Sequence, residues 1–267
     1  MEFSSELSRL TYYRGRVAMA AILKGLGVGK DDLVATQAFT CLAVPEGIMA
    51  VGARPWFVDT EPGSVNMSAD DLRSKLVPGL KAIVLQHTFG IPAQVDAIAK
   101  IAEENGIPLI EDCCHALSST FRGKRVGEFG VGAFYSFEWG KPIVVGIGGS
   151  AIVHDAELHQ QVDKDYVHFR SPIDWTVARL QLQYAGFNAL YRPSRYWQVR
   201  SLFQRLSRSG AATGNYNKVG EVSPEFRLRM PGSLKRRLEN KSVHLDEIGR
   251  HSDWVTNQYA EIGRAHV

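Results

Sequence analysis

Apolar and polar positions alternate over residues 1–155 in a way that predicts a layered α/β domain. Short apolar bursts bounded by polar or glycine positions indicate strands, and the stretches between them carry helical spacing. The predicted strands are Leu33–Thr36, Arg54–Val58, Ala82–Gln86, Pro108–Glu111, Val131–Phe137 and Gly149–Val153. The predicted helices are Val17–Leu26, Ala69–Leu76 and Gln94–Asn105. Because strands alternate with helices, we expect a mostly parallel sheet flanked by helices.

The pattern changes further along the chain and indicates three parts. We expect residues 1–165 to form a large domain and residues 166–220 to form a basic, aromatic, helical insertion. Pro193 and the Ser/Gly-rich stretch 207–214 divide that insertion into two helices and a loop. Residues 221–267 are again helical and charged, so we expect them to be the incomplete start of a smaller C-terminal domain.

Positive charge is concentrated in the predicted insertion. The segment from Arg170 to Lys218 contains eight Lys and Arg residues and one acid, Asp174. Three interpretations remain open for residues 170–218: a solvated insertion packed on its own domain, a surface for an anionic substrate or for peripheral contact with an anionic membrane, and a nucleic-acid surface. The formal net charge of the whole chain is only +3, which does not favour nucleic acid.

Length and composition are those of an ordinary globular protein. With 267 residues, of which 45% are hydrophobic and 22% charged, the chain can bury one large core and part of a second. The polar first ten residues lack the apolar core of a signal peptide, so we expect a cytoplasmic protein. The three cysteines are too few for a disulfide framework, and no cluster has metal-ligand spacing, so no metal site is predicted.

Candidate chemistry lies at the ends of the apolar bursts, where ligands bind in open α/β sheets. Asp112 follows a buried strand, where a carboxylate needs a positive partner such as a protonated pyridine nitrogen, although it could also cap the next helix. Lys141 lies between two predicted strands. In a dry site its pKa would fall and its neutral amine could attack an aldehyde, whereas most lysines are solvated surface residues. The glycines of 146–149 are a weaker signal.

Several motifs in this order resemble the DegT/DnrJ/EryC1/StrS family of sugar aminotransferases. Over the matched region the motifs are Gly52-Ala53-Arg54-Pro55-x-Phe57-Val58-Asp59, His87-x-x-Gly90-x-Pro92-Ala93, Glu111-Asp112-x-x-His115-Ala116, Gly123-Lys124-x-Val126-Gly127, Ser136-Phe137-x-x-x-Lys141 and Gly148-Gly149-Ser150-Ala151-Ile152-Val153. The similarity runs from about Arg14 to Val153 and resumes more weakly near Arg227. It implies the fold of pyridoxal 5'-phosphate (PLP) transferases of fold type I, which is the aspartate aminotransferase-like fold.

The resemblance implies a role for four residues around a bound PLP. Lys141 is expected to hold the cofactor as a Schiff base and to shuttle the proton during transamination. Asp112 is expected to keep the ring nitrogen protonated. His115 matches a position near the phenolic oxygen, with a structural histidine as the alternative, and Ser136 matches a hydroxyl that binds the phosphate.

Three further positions depart from the family pattern. Gly15 and Arg16 fall where the family commonly has Gly-Thr at a helix start that binds phosphate, so Arg16 replaces the usual hydroxyl. At the position of the usual ring-stacking aromatic this chain has a cysteine, and Phe39, two residues earlier, is the candidate. Arg227 occupies the position of an Asn that the family contributes to the neighbouring subunit's site, which implies a homodimer with shared active sites.

The implied reaction is a transamination of a keto group on a nucleotide-linked sugar, with glutamate as the amino donor. A lysine at position 141 matters because family members with histidine there are dehydratases. Alternatives are a non-catalytic or regulatory relative with this fold, or another PLP enzyme such as an aldolase or desulfurase. A nicotinamide-dependent dehydrogenase is disfavoured because no Gly-x-Gly-x-x-Gly follows the first strand.

The two ends of the chain suggest a fragment. Residues 262–267 match the translation of a common sequencing adapter, so we expect them not to be biological, and the start is closer to the phosphate-binding helix than is usual in the family. We therefore expect a chain that holds most of the cofactor site, lacks much of the substrate-side domain, and does not complete the transfer to a sugar as it stands.

Overall fold

The structure, a computed structural model, describes residues 2–190, 194, 197–198, 201, 204–205, 222–243 and 245. Its helices are α1 (Glu2–Leu7), α2 (Gly15–Gly25), α3 (Ala43–Ala50), α4 (Ala69–Ser74), α5 (Val95–Glu104), α6 (Ala156–Tyr166), α7 (Asp174–Leu190) and α8 (Gly232–Ser242). Its strands are β1 (Leu10–Tyr12), β2 (Leu33–Gln37), β3 (Arg54–Val58), β4 (Leu80–Gln86), β5 (Leu109–Asp112), β6 (Thr120–Phe121), β7 (Lys124–Arg125), β8 (Gly132–Ser136) and β9 (Gly149–Val153). Short 3-10 turns occur at Thr88–Gly90 and Pro224–Arg227.

The described strands form a seven-stranded sheet in the order β1-β9-β8-β5-β4-β2-β3, and β6 and β7 form a separate hairpin. Five neighbouring strands of this sheet, β3, β2, β4, β5 and β8, are parallel to one another. At the other edge β9 is antiparallel to β8, and β1 is antiparallel to β9. The carboxyl ends of β4, β5 and β8 therefore meet at the same edge of the sheet. Loops at this edge are where an open α/β sheet binds ligands.

Both faces of the sheet are covered, which is why its central strands are continuously apolar. In β4, Ala82 and Val84 pack in one core cluster, whereas Ile83 and Leu85 pack in another. The first cluster contains the apolar side of α2, and the second contains that of α5. Successive side chains of a strand point to opposite faces, so one apolar run serves two layers.

The predicted strands are all present; β3 and β9 have the predicted ends, and the ends of β2, β4, β5 and β8 are shifted. β5 extends one residue further than predicted and ends at Asp112, and α2 begins at Gly15, two residues before the predicted start. The sequence interpretation missed the short strand β1, the hairpin β6–β7, and the helices α1, α3 and α6. Helix α3 was not predicted because Pro45 and Gly47 are poor helix formers. The lack of a side chain at Gly47 allows close packing on α2, because an added Cβ would lie 3.0 Å from the carbonyl oxygen of Arg16 and would overlap Met19.

Residues that follow the basic segment pair with the edge of the sheet. Residues 228–230 lie beside β1, where Leu228 O accepts a hydrogen bond from Tyr13 N at 3.0 Å and Met230 N donates to Thr11 O at 3.2 Å. Helix α8 then packs through Leu234 and Leu238, which are fully buried. Helix α7 lies within the segment predicted to be an insertion, and the three-part division of the chain stays a prediction. The stretch 207–214, most of the predicted C-terminal part and residues 262–267 lie outside the described residues.

Candidate active site

A pocket lies where the carboxyl ends of β4, β5 and β8 meet the first residue of α2. Six of the eight predicted site residues line it, namely Gly15, Arg16, Asp112, His115, Ser136 and Lys141. The remaining lining residues are Arg14, Met19, Cys41, Ala43, Val44, Gln86, Cys114, Phe134 and Glu138. Residues separated widely in sequence therefore share one cavity, because parallel strands bring their ends to the same edge.

The two adjacent carboxylates of β5 point to opposite faces of the sheet. The Asp112 side chain faces the pocket, and its Oδ1 accepts a hydrogen bond from Cys114 N at 3.0 Å. Glu111 is fully buried on the other face, where its two carboxylate oxygens accept hydrogen bonds from His87 Nε2 and from the backbone of Gly127, Phe129 and Gly130. The strand pleat thus leaves Asp112 available to a ligand and gives Glu111 a structural role.

The hydrogen bonds of Glu111 determine its ionisation. Burial raises the pKa of this carboxyl, but the hydrogen bonds from His87 and from the backbone N–H groups outweigh burial and lower the pKa. His87 Nδ1 accepts a hydrogen bond from Ala93 N at 3.1 Å, so its proton lies on Nε2 and is donated to Glu111. His87, Glu111 and Cys113 have donor atoms close enough to hold a metal ion. Because hydrogen bonds already use the imidazole and both carboxylate oxygens, we interpret this cluster as structural.

Lys141 closes a turn at the mouth of the pocket. Its backbone N donates to Glu138 O at 3.3 Å, and Gly140 within the turn has a φ of 78°, which a residue with a side chain rarely adopts. The side chain is half-buried. Among the described residues, none forms a hydrogen bond or ion pair with the Lys141 amine. The amine is therefore available to a ligand.

His115 lies close to both Lys141 and Asp112. Burial lowers its pKa, the positive charge of Lys141 lowers it further, and the negative charge of Asp112 opposes them. Its Nδ1 accepts a long hydrogen bond of 3.4 Å from Phe89 N, and the two rings stack with centroids 6.0 Å apart. His115 is therefore neutral at physiological pH and is fixed from one side by Phe89.

The start of α2 provides backbone donors at the pocket wall. Its N-cap residue, Arg14, makes no side-chain capping bond, and the first intrahelical bonds run from Val17 and Ala18 to Arg14 O. An uncapped helix start is a favourable place for an anion. Gly15 sits so close to β8 that an added Cβ would lie 3.0 Å from Ser136 Cβ and 3.2 Å from Tyr135 O. The absence of a side chain thus keeps this helix start and Ser136 side by side.

The side chain of Arg16 turns into a buried cluster of charges. It pairs with Glu46 at 3.0 Å and with Glu225 at 2.6 Å, and Glu225 also pairs with Arg14 at 2.9 Å. Arg14 has a second partner, Glu138, at 2.9 Å. Burial alone lowers the pKa of Arg14, but the two carboxylates raise it. The guanidinium groups beside the helix start are therefore neutralised by protein carboxylates.

Phe39 and Arg227 lie apart from the pocket lining. Phe39 is 53% exposed and contacts Phe89 edge-on, with ring centroids 6.3 Å apart. Arg227 is exposed on the 3-10 turn that also carries Glu225. A role for Arg227 in a neighbouring subunit and ring stacking by Phe39 both stay predictions.

Sequence reasoning missed several lining residues, among them Gln86, Cys114 and Glu138. Gln86 is the last residue of β4 and pairs in register with Asp112, so its position at a strand end was a usable signal. It accepts a hydrogen bond from Thr40 Oγ1 at 2.6 Å. Glu138 gave no signal, because its role depends on Arg14 from a distant part of the chain.

Across the described residues, no helix combines the length and apolar character needed to span a membrane.

Comparison with known proteins identifies relatives of this chain. A model of the DegT/DnrJ/EryC1/StrS aminotransferase family matches residues 3–203. The chain is 31% identical over 227 residues to a dTDP-4-dehydro-2,3,6-trideoxy-D-glucose 4-aminotransferase from Saccharopolyspora spinosa, covering 84% of this chain and 54% of the relative. It is 37% identical over 159 residues to a pleiotropic regulatory protein from Geobacillus stearothermophilus, covering 59% of this chain and 43% of the relative. The chain thus spans about half the length of the curated relatives it matches.

Solved structures share the fold. The aminotransferase TlmJ from Streptoalloteichus hindustanus is 31% identical, with a TM-score of 0.58, and the match covers 63% of this chain and 48% of that one. A Bacillus subtilis protein solved with the cofactor PMP bound is 24% identical, with a TM-score of 0.55, over 62% of this chain and 38% of that one. These likenesses confirm the expected fold, that of the PLP-dependent transferases of fold type I.

Proposed function

This chain belongs to the DegT/DnrJ/EryC1/StrS aminotransferase family, and we propose that it carries the cofactor site of a PLP-dependent aminotransferase that acts on a keto group of a nucleotide-linked sugar. The observation that carries the proposal is the convergence of Asp112, Lys141 and the uncapped start of α2 on one pocket. A carboxylate, an unpaired amine and an anion-binding helix start are the three groups that PLP requires.

The phosphate would lie at the start of α2. Gly15 and Arg16, the first residues of α2, line the pocket, and the Ser136 side chain lies beside Gly15. The pairing of Arg16 with Glu46 and Glu225 leaves recognition of the phosphate to backbone donors and a hydroxyl rather than to a guanidinium. The helix dipole adds to the attraction of an anion at this point.

Asp112 and Lys141 would hold the other end of the cofactor. When bound, PLP supplies an electron sink for chemistry at the substrate carbon. Asp112 would keep a proton on the ring nitrogen, since a carboxylate favours the protonated form of a basic partner. Lys141 would bind the aldehyde through its amine and move a proton at Nζ. The neutral His115 would face the phenolic oxygen and contribute a hydrogen bond.

The name of one relative supports the proposed class of substrate. The Saccharopolyspora spinosa relative is named for a dTDP-linked deoxy sugar, which supports a nucleotide sugar as the amino acceptor. We propose glutamate as the donor and a homodimer in which Arg227 reaches the neighbouring site. The anionic nucleotide would bind the basic residues of 170–218. Of these, Arg192, Arg195 and Arg200 lie outside the described residues, and their charge reversal should weaken substrate binding.

A half-reaction tests the proposal. The purified chain is incubated with PLP, and L-glutamate is then added while the visible absorbance of the cofactor is followed. We expect the aldehyde form to convert to the amine form with release of 2-oxoglutarate. Lys141→Ala should abolish the conversion, whereas the exposed Lys30→Ala should behave as wild type. Absence of PLP binding in the wild-type chain would reject the proposal.

A regulatory role is the second candidate function. It is favoured by the name of the Geobacillus stearothermophilus relative, which is the more identical of the two curated relatives described above. The retained Asp112 and Lys141 favour an enzyme. Bound PLP that reacts with no amino donor would favour the regulator.

A further inference from the structure

Two cations of α8 hold the loop that carries Lys141. Arg237 Nη1 donates a hydrogen bond to Val145 O at 2.9 Å, and Lys241 Nζ donates to Val144 O at 2.9 Å. The two residues are one helical turn apart, so their side chains leave the same side of α8. Hydrogen bonds from a charged donor are stronger than those between neutral groups. The two side chains therefore hold two consecutive carbonyl groups of the loop against α8.

The same loop is fixed on its other side by aromatic contacts. Trp139, two residues before Lys141, packs on Phe187 with ring centroids 4.5 Å apart and stacks on Tyr184 at 6.2 Å. The Arg237 guanidinium lies 3.6 Å from the Tyr184 ring centroid, and its Nη2 also donates to Gln181 Oε1. Arg237 therefore joins α7, α8 and the loop in one cluster.

The loop is closed at its neck, so displacement of one part moves the rest. Phe137 N donates to Gly148 O at 2.9 Å, and Val145 N donates to Phe137 O at 3.0 Å. Lys141 lies within the segment that these bonds enclose. A shift of the Val144–Val145 peptides would consequently displace the turn of Lys141.

Helix α8 is docked on the protein core through its apolar side. Leu234 and Leu238 are fully buried in the cluster that also contains Val145 and Ile147. Burial of these two leucine side chains stabilises the docking of the helix. Because α8 is docked in this way, the hydrogen bonds of Arg237 and Lys241 hold the loop in one place relative to the core.

We propose that Arg237 and Lys241 are positioning residues that set the location of the Lys141 amine in the pocket. The inference rests on the proposed function, in which the Lys141 amine binds the aldehyde of PLP. Misplacement of a reacting group by about 1 Å can cost on the order of 100-fold in rate. Loss of the Arg237 contacts should accordingly weaken capture of an aldehyde by Lys141 while leaving the phosphate site intact.

The test compares three variants of the chain loaded with PLP. Arg237→Ala removes the contacts, Arg237→Lys retains one donor for Val145 O, and Arg236→Ala alters the exposed neighbour on the same helix. The readouts are the dissociation constant for PLP from visible absorbance, the absorbance maximum of the lysine-bound cofactor, and amide hydrogen exchange of residues 138–147. Inorganic phosphate serves as the control ligand for the start of α2.

We expect Arg237→Ala to bind PLP about 10-fold or more weakly with faster exchange in the loop. Phosphate affinity should be unchanged, Arg237→Lys should recover part of the loss, and Arg236→Ala should match wild type. If Arg237→Ala does not fold, Lys241→Ala carries the same comparison through Val144 O.

Equal PLP affinity, absorbance and loop exchange in the Ala variants of 236 and 237 would overturn the inference. An equal loss of phosphate and PLP affinity would also overturn it, because the effect would then be a general loss of structure. Failure of the wild-type chain to bind PLP would instead reject the proposed function, so the two failures are distinguishable.

Discussion

Glu225 accepts a hydrogen bond of 2.7 Å from Arg16 Nε across 209 residues of sequence. Its other oxygen accepts from Arg14 Nε at 2.9 Å. One carboxylate from the segment that follows the predicted insertion thus pairs with two arginines at the start of the pocket helix. The stability of the pocket wall therefore depends on residues that arrive late in the chain.

Replacing Glu225 with Gln should destabilise the protein by about 3 kcal/mol, because two buried guanidinium groups lose a shared counterion. The measurement is the free energy of unfolding in urea. Glu239→Gln, on an exposed face of α8, is the matched control and should change stability by less than about 0.5 kcal/mol. Equal stability of the two variants would show that the cluster contributes nothing.

A methyl group at Gly15 should impair the phosphate end of the site. In Gly15→Ala the new Cβ would lie 3.0 Å from Ser136 Cβ and 3.3 Å from Cys114 Sγ, so the helix start must move away from β8. Overpacking of this kind costs about 1–3 kcal/mol, and the same energy lost from binding corresponds to roughly a 5- to 150-fold loss of affinity for inorganic phosphate. Gly186→Ala, where nothing lies within 4 Å, should leave affinity unchanged. Unchanged phosphate binding in Gly15→Ala would contradict the assignment of the helix start.

Glu111 should make the protein less stable in acid. Its folded pKa lies below the unfolded value, so its contribution is present above about pH 4.3 and is lost as pH falls through the folded pKa. Wild type should therefore exceed Glu111→Gln in free energy of unfolding at pH 7, and this difference should narrow as the pH falls below about 4.3. A difference that stays constant with pH would mean that the ionised carboxylate is not the stabilising form.

Asp112 should matter for chemistry and little for folding. In Asp112→Asn the side-chain oxygen can still accept the hydrogen bond from Cys114 N, so stability should be nearly unchanged. A neutral amide cannot hold a proton on a ring nitrogen, and we expect the half-reaction with L-glutamate to slow by about 100-fold or more. Stopped-flow absorbance measures the rate, and a wild-type rate in the variant would remove Asp112 from the mechanism.

The sequence predicted the central sheet and part of the pocket, because these parts of the structure depend on local signals. Strands β2 to β5 are apolar runs with polar boundaries, and Asp112 and Ser136 lie at strand ends, where ligands bind in this type of sheet. The family resemblance then gave Lys141 a specific meaning. Helix α3 was missed because Pro45 and Gly47 are poor helix formers, and their value lies in packing against α2.

Contacts between side chains that lie far apart in the chain could not be predicted from the pattern of apolar and polar positions. The ion pairs of Arg14 and Arg16 depend on Glu225, and the support of the Lys141 loop depends on Arg237. Each pair is far apart in the chain, and each charged residue alone resembles an ordinary surface residue. Periodicity detects the face of a helix that is buried but not the partner it meets.

The most direct test of the central claim is to locate the cofactor bond. The wild-type chain is incubated with PLP, reduced with borohydride, digested, and analysed by mass spectrometry. We predict a pyridoxyl group on Lys141, with loss of the label in Lys141→Ala and retention in Lys30→Ala. A label on another lysine, or no label on the wild-type chain, would contradict the assignment of Lys141.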